Sequence, residues 1–342
     1  MVQTRQRCAA TATQIFTAAA AAIAVLAAQG AQAGTYTAIA PYVGTGTSTG
    51  VLGINNAGYM TGTVGNADGS GSAFIRDPSG VYTLFTNNGD FNTVGRAINS
   101  ANTITGYSTD SSQVLSVDSE FSRSSGGALT QLSAAGPGAL HGIAQGINSS
   151  GAIVGDYFFK SGGKTYRHGF LLASGVFTDI SVGPAVNQRT QARGIADAGV
   201  IDGWVSQAGV IEGFVYSGGV FQFISDPNPN AVGTYLEALN NNGLASGEWF
   251  DASGNSTAFI YDTVHHTFAD LLPPVAGSYD AFGLNDAGRV VITGVDLAGN
   301  SVNYLYSPGV PEPASWALVL VGVGGLGAVL RRTRKDRAAL AV

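Results

Sequence analysis

The side chains that most often carry catalysis or bind metals are few in this chain, and their spacing does not assemble them. The only histidines are His141, His168, His265 and His266, and none of them forms the H-E-x-x-H pattern of a zinc site. The single cysteine is Cys8. No nucleophile elbow, Walker loop or Rossmann fingerprint occurs in a strand–helix context. The sequence therefore predicts no catalytic residue, no bound metal, no cofactor and no enzyme activity.

Carboxylates and tryptophans leave two other kinds of chemistry open. Asp156, Asp202 and Glu248 occur at similar places in successive stretches of the chain. Converging carboxylates would suit a glycoside hydrolase, a lyase or a Ca²⁺ site, although solvated turn acids are the more common explanation. Trp204 and Trp249 also fall at similar places. They are candidate glycan contacts if exposed, and packing residues between sheets if buried.

Composition narrows the fold class. The chain has 342 residues, of which 49 are glycine, 45% are hydrophobic and only 11% are charged. Such a chain is typical of many short strands joined by tight turns. From Gly34 to Gly309 there are 20 acidic and 9 basic residues, a net charge of −11. Nucleic-acid binding requires clustered lysine and arginine, so we expect no nucleic-acid partner.

A repeated phrase, Gly-Ile-Asn-x-x-Gly, organises the body. Its isoleucine or leucine stands at positions 54, 98, 147, 195, 239 and 284, in steps of 44 to 49 residues. Four residues later comes a glycine, or in one copy Asn102, and both residues tolerate the positive φ of a tight turn. An aromatic residue follows about 20 residues after the isoleucine. This pattern predicts six repeats of about four short strands each.

The repeats are circularly permuted. The sixth copy ends at Gly309 without its last strand, while Gly34–Ile39 matches the last strand of another copy, Gly175–Ile180. A closed ring explains this arrangement, because an N-terminal strand can then complete the last sheet. We therefore predict an all-β, six-bladed β-propeller over residues 34–309. A β-solenoid, which would not need the permutation, is the alternative.

Residues 1–33 have the layout of a secretory signal peptide. Arg5 and Arg7 form the basic region, and an apolar run rich in alanine follows at residues 15–28. Ala31-Gln32-Ala33 is a small-x-small cleavage site, so signal peptidase is the expected processing partner and Gly34 the new N-terminus.

The C-terminal end has three parts over residues 310–342. They are the triplet Pro311-Glu312-Pro313, an uncharged stretch at residues 314–330, and a basic tail at residues 331–342. The middle stretch is about as short as a transmembrane helix can be. The tail begins with the basic stop-transfer residues Arg331, Arg332, Arg334 and Lys335. This charge predicts a cytoplasmic tail and a body on the opposite, periplasmic side of the inner membrane.

These C-terminal features resemble the PEP-CTERM sorting signal of Gram-negative bacteria, a tail sometimes labelled an ice-binding protein C-terminal domain. The resemblance implies cleavage by an exosortase, a membrane protease, after transient anchoring, and release to the cell surface or to a biofilm matrix. The body resembles HAF-type extracellular repeats, best at His168-Gly169-Phe170.

Three functions remain open on the sequence. The first is a non-enzymatic surface or matrix protein, which the two end signals favour. The second is a ring that binds exopolysaccharide, for which Trp204 and Trp249 are the candidate contacts. The third is a propeller glycoside hydrolase or lyase, which would need at least two carboxylates at one mouth of the ring.

Overall fold

The computed structural model describes residues 34–44, 46–110, 119–132, 139–183 and 188–309. Residues 36–307 form one compact unit. The predicted signal peptide, transmembrane helix and basic tail lie outside the described residues. Within the described ranges, no helix has the length and apolar character needed to cross a membrane.

The described residues form 24 strands, which we group in six repeats of four. Repeat 1 contains β2 (Gly46–Ile54), β3 (Met60–Asn66), β4 (Gly71–Arg76) and β5 (Tyr82–Phe85). Repeat 2 contains β6 (Asn92–Ile98), β7 (Ile104–Thr109), β8 (Ser119–Arg123) and β9 (Leu129–Leu132). Repeat 3 contains β10 (Ala139–Ile147), β11 (Ile153–Ser161), β12 (Lys164–Ala173) and β13 (Val176–Ile180). Repeat 4 contains β14 (Arg189–Ile195), β15 (Ile201–Gln207), β16 (Val210–Ser217) and β17 (Val220–Ile224). Repeat 5 contains β18 (Gly233–Leu239), β19 (Leu244–Phe250), β20 (Ser256–Asp262) and β21 (Thr267–Asp270). Repeat 6 contains β22 (Gly277–Leu284), β23 (Val290–Asp296), β24 (Ser301–Ser307) and β1 (Thr35–Ala38).

Repeats 1 to 5 are antiparallel meanders in which each strand pairs with the next along the chain. Repeat 6 differs because its fourth strand comes from the other end of the body, in the order β1-β24-β23-β22. The Ile39 N–H donates to the Asn303 carbonyl at 2.9 Å, and the Tyr36 and Tyr306 rings lie 5.3 Å apart. The first strand of the body thus occupies the place that the circular permutation predicted.

The repeated turns have the predicted backbone. The residues four positions after the repeated isoleucine or leucine all have positive φ: Gly58, Asn102, Gly151, Gly199, Gly243 and Gly288. In the first turn the Gly58 N–H donates to the Asn55 carbonyl, and the Tyr59 N–H donates to the Asn55 Oδ1. The asparagine side chain therefore closes the turn locally, as expected of an Asx residue.

The core of repeats 1 to 5 depends on a glycine and a phenylalanine that face each other on neighbouring strands. Gly62 pairs with Phe74, and a Cβ at Gly62 would lie 3.0 Å from the Phe74 ring and 2.0 Å from the Gly50 carbonyl oxygen. The same pairing recurs in repeats 2 to 5, and all five phenylalanines are fully buried: Phe74, Phe121, Phe170, Phe214 and Phe259. The aromatic ring fills the space that the missing side chain leaves.

Repeat 6 has a different pair of residues at this position of its core. Five repeats have a glycine eight residues after the repeated isoleucine or leucine, but in repeat 6 the glycine comes two residues later, at Gly294. This spacing predicts a bulge in the second strand of repeat 6, and that prediction is wrong. The pairing of β23 with β24 is continuous, and Ile292 stands opposite Tyr304 where the other repeats have glycine opposite phenylalanine. An isoleucine and a tyrosine replace the glycine–phenylalanine pair without a change of register.

A chain of asparagine hydrogen bonds connects neighbouring repeats. Each Nδ2 donates to the main-chain carbonyl at the corresponding turn of the next repeat: Asn55 to Asn99 at 2.9 Å, Asn99 to Asn148 at 3.0 Å, Asn148 to Ala196 at 3.3 Å, Asn240 to Asn285 at 3.0 Å and Asn285 to Asn55 at 3.1 Å. The last of these bonds joins repeat 6 to repeat 1. Repeat 4 has Ala196 at this position, which cannot donate such a bond to repeat 5.

Two further contacts join repeat 6 to repeat 1. The Asn303 Nδ2 donates to the Thr49 carbonyl at 2.7 Å, and the Val51 N–H donates to the Asn303 Oδ1 at 3.1 Å. Val291 of repeat 6 also packs in the same apolar cluster as Val51 and Phe74 of repeat 1. The two ends of the body are therefore joined by both polar and apolar contacts.

Substitutions in this chain of asparagines should change stability in opposite directions. Asn285→Ala should lower the free energy of unfolding by about 1–3 kcal/mol, because buried partners lose their hydrogen bonds. Ala196→Asn should raise it by about 0.5–1.5 kcal/mol, because it supplies the missing donor to Asn240. Thermal and urea unfolding measure both effects, with Thr130→Ala on an exposed strand position as the control. Equal stability of all three variants would show that these bonds contribute nothing.

Candidate functional site

Six β-bulges determine which side chains reach the centre of the body. In the first strand of every repeat the register shifts by one residue, two positions before the repeated isoleucine or leucine. A bulge inserts an unpaired residue and redirects its side chain. The unpaired residues are Leu52, Arg96, Gln145, Arg193, Glu237 and Phe282. All six line one narrow cavity of about 70 Å³, to which every repeat contributes. We call this cavity the inner channel.

An ion-pair network fills the inner channel. The buried Glu237 carboxylate accepts from Arg96 at 3.1 Å and pairs with Arg193 at 3.4 Å. Arg193 also donates to Gln145 at 3.0 Å, and Gln145 donates to Asp156 at 3.2 Å. The Arg96 guanidinium lies 5.3 Å from the centre of the Phe282 ring. Charged side chains from repeats 2, 4 and 5 thus compensate one another where water is largely excluded.

Three further carboxyl groups lie beside this network: those of Asp202 and Glu248 are buried, and that of Asp280 is partly buried. Burial raises the pKa of Asp202 to about 8, and the Gly194 N–H that donates to its Oδ1 at 2.7 Å partly opposes that rise. Burial, reinforced by the neighbouring Glu237 and Asp280 carboxylates, raises the pKa of Glu248. Burial likewise raises the pKa of Asp280. Desolvation disfavours the charged form, so these groups hold protons more tightly than exposed acids do.

A second cavity, of about 190 Å³, opens beyond the ring of repeated isoleucines and leucines. We call it the outer mouth. Its apolar floor is Ile54, Ile98, Ile147, Ile195, Leu239 and Leu284, and its polar rim includes Asn56, Ser100, Ser149, Asp197, Asn241 and Asp286. Asn241 Nδ2 donates to both Asp197 and Asp286 at 3.0 Å. Three side chains of the rim, those of Asp197, Asn241 and Asp286, are therefore joined by hydrogen bonds above the apolar floor.

The three acidic residues proposed for hydrolysis do not line either of these cavities. Asp156 is bound by Arg167 at 2.7 Å and by Gln145. Asp202 and Glu248 are buried in neighbouring repeats. Across the described ranges, no group of three or more histidine, cysteine, aspartate or glutamate residues has the geometry to hold a metal ion.

The two candidate glycan contacts are not brought together. Trp204 pairs with Gln191, whereas Trp249 pairs with Thr234, which is one register position away from the equivalent place. One position along a strand reverses the face to which a side chain points. Trp204 packs on Tyr235, with ring centres 4.7 Å apart, and the Trp249 Nε1 donates to Asp270 at 3.2 Å. The two rings therefore do not form one platform.

The histidines have local partners. His168 Nδ1 lies 2.8 Å from the Asp179 carboxylate, and His265 Nδ1 lies 2.8 Å from Asp262. His265 and His266 are exposed in the turn between β20 and β21.

The end of the chain is recognised by comparison with known families. Residues 309–335 match the PEP-CTERM protein-sorting motif. The signal predicted from Pro311-Glu312-Pro313 and the basic cluster is thereby confirmed. This motif implies a secreted chain that transits a membrane and is processed by exosortase, a membrane protease. No curated protein matches the chain.

Solved structures resemble the body in fold. A mutant of the Aleuria aurantia lectin in complex with Fucα1-6GlcNAc has a TM-score of 0.50 and 12% identity, with 80% of this chain and 99% of that chain covered. TolB from Acinetobacter baumannii has a TM-score of 0.48 and 12% identity. The match covers 72% of this chain and 63% of TolB. At this identity, the likeness to the lectin establishes a propeller-like all-β fold and nothing about ligands.

The buried carboxyl groups predict a pH dependence of stability. The folded state binds the Asp202 proton more tightly than the unfolded chain, whose pKa is near 3.8. The free energy of unfolding should therefore fall as pH rises from about 4 to about 8, by up to about 1.4 kcal/mol per pH unit. Asp202→Asn keeps the acceptor for Gly194 and should flatten this slope, as measured by urea unfolding at pH 5 and pH 8.

Asp197→Asn at the outer mouth is the matched control. Hydrogen bonds from Ser149 lower the pKa of Asp197. Its charged form therefore stabilises the fold at pH 8, and the substitution should not raise stability there. A slope for Asp202→Asn equal to that of the unsubstituted protein would rule out Asp202 as a source of the pH dependence.

Proposed function

We propose that this protein is an exported, non-enzymatic cell-surface or extracellular-matrix protein whose body is a six-bladed β-propeller. The sorting motif at residues 309–335 is the observation that carries the proposal. It begins two residues after Ser307, where the last strand, β24, ends. The chain of asparagine bonds that joins repeat 6 to repeat 1 supports a closed ring of six blades. The placement of β1 beside β24 supports the N-terminal strand as the closing element.

A processing order follows from this proposal. Signal peptidase cuts between Ala33 and Gly34, and residues 314–330 then hold the chain transiently in the inner membrane. The body lies on the periplasmic side, because the basic cluster at Arg331 and beyond stays in the cytoplasm. The exosortase acts at Pro311-Glu312-Pro313, and the body reaches the surface or the matrix.

The arrangement of the centre supports a role without catalysis. In the inner channel the Glu237 carboxylate is paired with both Arg96 and Arg193. Asp156 is held by Arg167. The paired carboxylates that glycoside hydrolysis uses must flank a substrate. Asp156, Asp202 and Glu248 line neither the inner channel nor the outer mouth. The two carboxylates that do line the outer mouth, Asp197 and Asp286, are both bound by the Asn241 side chain.

Carbohydrate binding is the second candidate function. The observation that favours it is a groove along the outer strands of repeats 4 and 5, whose lining includes Tyr261, His266 and Phe268. Aromatic faces with neighbouring polar groups suit a ligand that has both an apolar and a hydroxylated side.

Replacement of Pro311, Glu312 and Pro313 by alanine tests the first proposal. The variant should accumulate as an uncleaved, membrane-associated chain, because the protease loses its recognition sequence while the apolar stretch remains. Immunoblots of membrane, periplasmic and extracellular fractions measure the mass and the location. Replacement of Pro273 and Pro274, two prolines within the body, by alanine is the control and should leave processing unchanged. A triple variant with the mass and distribution of the unsubstituted protein would contradict the proposal.

A further inference from the structure

The second and third strands of repeat 3 form a hairpin that is longer than those of the other repeats. β11 has nine residues and β12 has ten, whereas the corresponding strands elsewhere have five to eight. Ser161, the last residue of β11, lies 14 residues after Ile147. In repeats 1, 4, 5 and 6 the second strand ends 11 or 12 residues after the equivalent isoleucine or leucine. Each strand residue adds about 3.3 Å, so the hairpin extends about 7 Å beyond these strands.

The hairpin lies at the end of the body opposite the outer mouth. β11 begins just after the mouth turn of repeat 3, and Ser161 pairs with Lys164 at the other end of the strand. β24 ends where Tyr306 pairs with Val290, directly after the mouth turn of repeat 6. Tyr36 of β1 packs on Tyr306. The chain therefore enters and leaves this compact unit at the mouth end, and the hairpin lies at the opposite end.

The hairpin carries the lysines of an otherwise acidic body. Lys160 and Lys164 are the only lysines among residues 34–309, which contain 20 acidic and 9 basic residues. Both side chains are exposed. Across the described ranges, neither ammonium group pairs with a carboxylate. Arg189 at the start of β14 is also exposed, and its Cα pairs with that of Arg167 at the base of the hairpin.

The carboxylates of the same sheet do not cancel this charge. No aspartate or glutamate occurs between Asp156 and Asp179 along the chain. Asp156 is fully buried and is bound to Arg167 at 2.7 Å. Asp179 accepts a hydrogen bond from Tyr157 and lies 2.8 Å from His168 Nδ1. The charges of the two lysines therefore remain available to a partner.

Aromatic side chains on both faces of the hairpin hold its strands in place. On one face the Phe159 and Tyr166 rings stack, with centres 5.0 Å apart and planes 16° from parallel. On the other face the Arg167 guanidinium lies 4.8 Å from the centre of the Phe158 ring, and the His141 ring lies 4.5 Å from the same centre. The backbone that carries the lysines is thus ordered before it binds, which lowers the entropy cost of binding.

The tip of the hairpin is entirely polar. Ser161, Gly162 and Gly163 stand between the two lysines, and Thr165 follows them. All of residues 160–165 are exposed. Both glycines have positive φ, and a Cβ on either would meet no atom within 4 Å. The tip offers two ammonium groups, two hydroxyls and open main-chain groups, and it has no apolar side chain that could enter a lipid bilayer.

We propose that residues 160–165, which we call the lysine hairpin, bind an acidic polysaccharide, a sugar polymer that carries carboxylates. The Lys160 and Lys164 ammonium groups pair with carboxylates of the polymer. The hydroxyls of Ser161 and Thr165 suit the sugar hydroxyls. The acidic remainder of the body repels the same polymer and so orients the hairpin toward it. This inference rests on the second candidate function, carbohydrate binding, and places a site for it outside the groove of repeats 4 and 5.

Binding of the full-length chain to immobilised polygalacturonate tests the site. This polymer has one carboxylate on each pyranose ring, and biolayer interferometry in a non-ionic detergent without a sugar headgroup measures the Kd. In every sample the basic residues outside the body are replaced by glutamine, because they would bind the polymer themselves: those at positions 5, 7, 331, 332, 334, 335 and 337. Binding should weaken as the ionic strength rises from about 0.01 M to about 0.15 M, because the Debye length falls from about 30 Å to about 8 Å.

The double variant Lys160→Gln, Lys164→Gln should bind polygalacturonate about fivefold or more weakly at low salt, because two exposed ion pairs are lost. Arg123→Gln with Arg289→Gln removes the same net charge from repeats 2 and 6 and is the matched control, which should bind like the unsubstituted body. Lys160→Arg with Lys164→Arg keeps both charges and should retain binding. Thermal unfolding should be the same for both lysine double variants, because these side chains are exposed.

Three results would overturn the proposal. Unchanged binding of the Lys160→Gln, Lys164→Gln variant would place recognition elsewhere on the body and would reject the lysine hairpin without rejecting carbohydrate binding. Equal binding to polyglutamate, which has carboxylates but no sugar, would show that the surface recognises charge alone and would reject a sugar ligand. Absence of binding to polygalacturonate at an ionic strength of about 0.01 M would remove the acidic-polysaccharide site, while the sorting proposal would stand.

Discussion

The contact between repeat 6 and repeat 1 is the constraint on which the rest of the structure depends. The Asn285 side chain bonds to the Asn55 carbonyl, and Asn303 bonds to the main chain of Thr49 and Val51. All six repeats can line one cavity only if the last repeat lies near the first. The inner channel and the outer mouth exist because every repeat contributes to them.

The bulges determine which side chains line the inner channel. A regular strand would direct alternate residues to the axis, whereas an inserted residue redirects one side chain in each repeat. The isoleucines and leucines of the turns are nearly constant, but the bulged residues range from Leu52 and Phe282 to Arg193 and Glu237. The repeat architecture is thus uniform, whereas the residue that each repeat contributes to the inner channel differs.

The sequence could predict much of this fold because its signals are local. Positive φ at Gly58 and its counterparts follows from residue type, and the matching of Gly34–Ile39 to another repeat's last strand located β1. The sorting motif was recognisable because its parts are contiguous.

Other features depend on which residues pair between neighbouring strands, and this pairing could not be predicted from the sequence. The bulged positions vary too much to form a pattern, so the inner channel was not predicted. Trp204 and Trp249 looked equivalent, but a difference of one register position separates their faces. The expected bulge at Gly294 was wrong because Ile292 and Tyr304 restore the packing.

The position of β1 has a consequence for the order of folding. Synthesis proceeds from the N-terminus, so β1 is made first and its partner β24 last. The four residues Thr35–Ala38 must remain without that partner while the intervening repeats are completed. The entropy cost of bringing β1 and β24 together grows only with the logarithm of the number of residues between them. Their separation along the chain therefore lowers the equilibrium stability little. Non-local pairing does slow folding, and the final sheet is therefore the last part of the body that can become native.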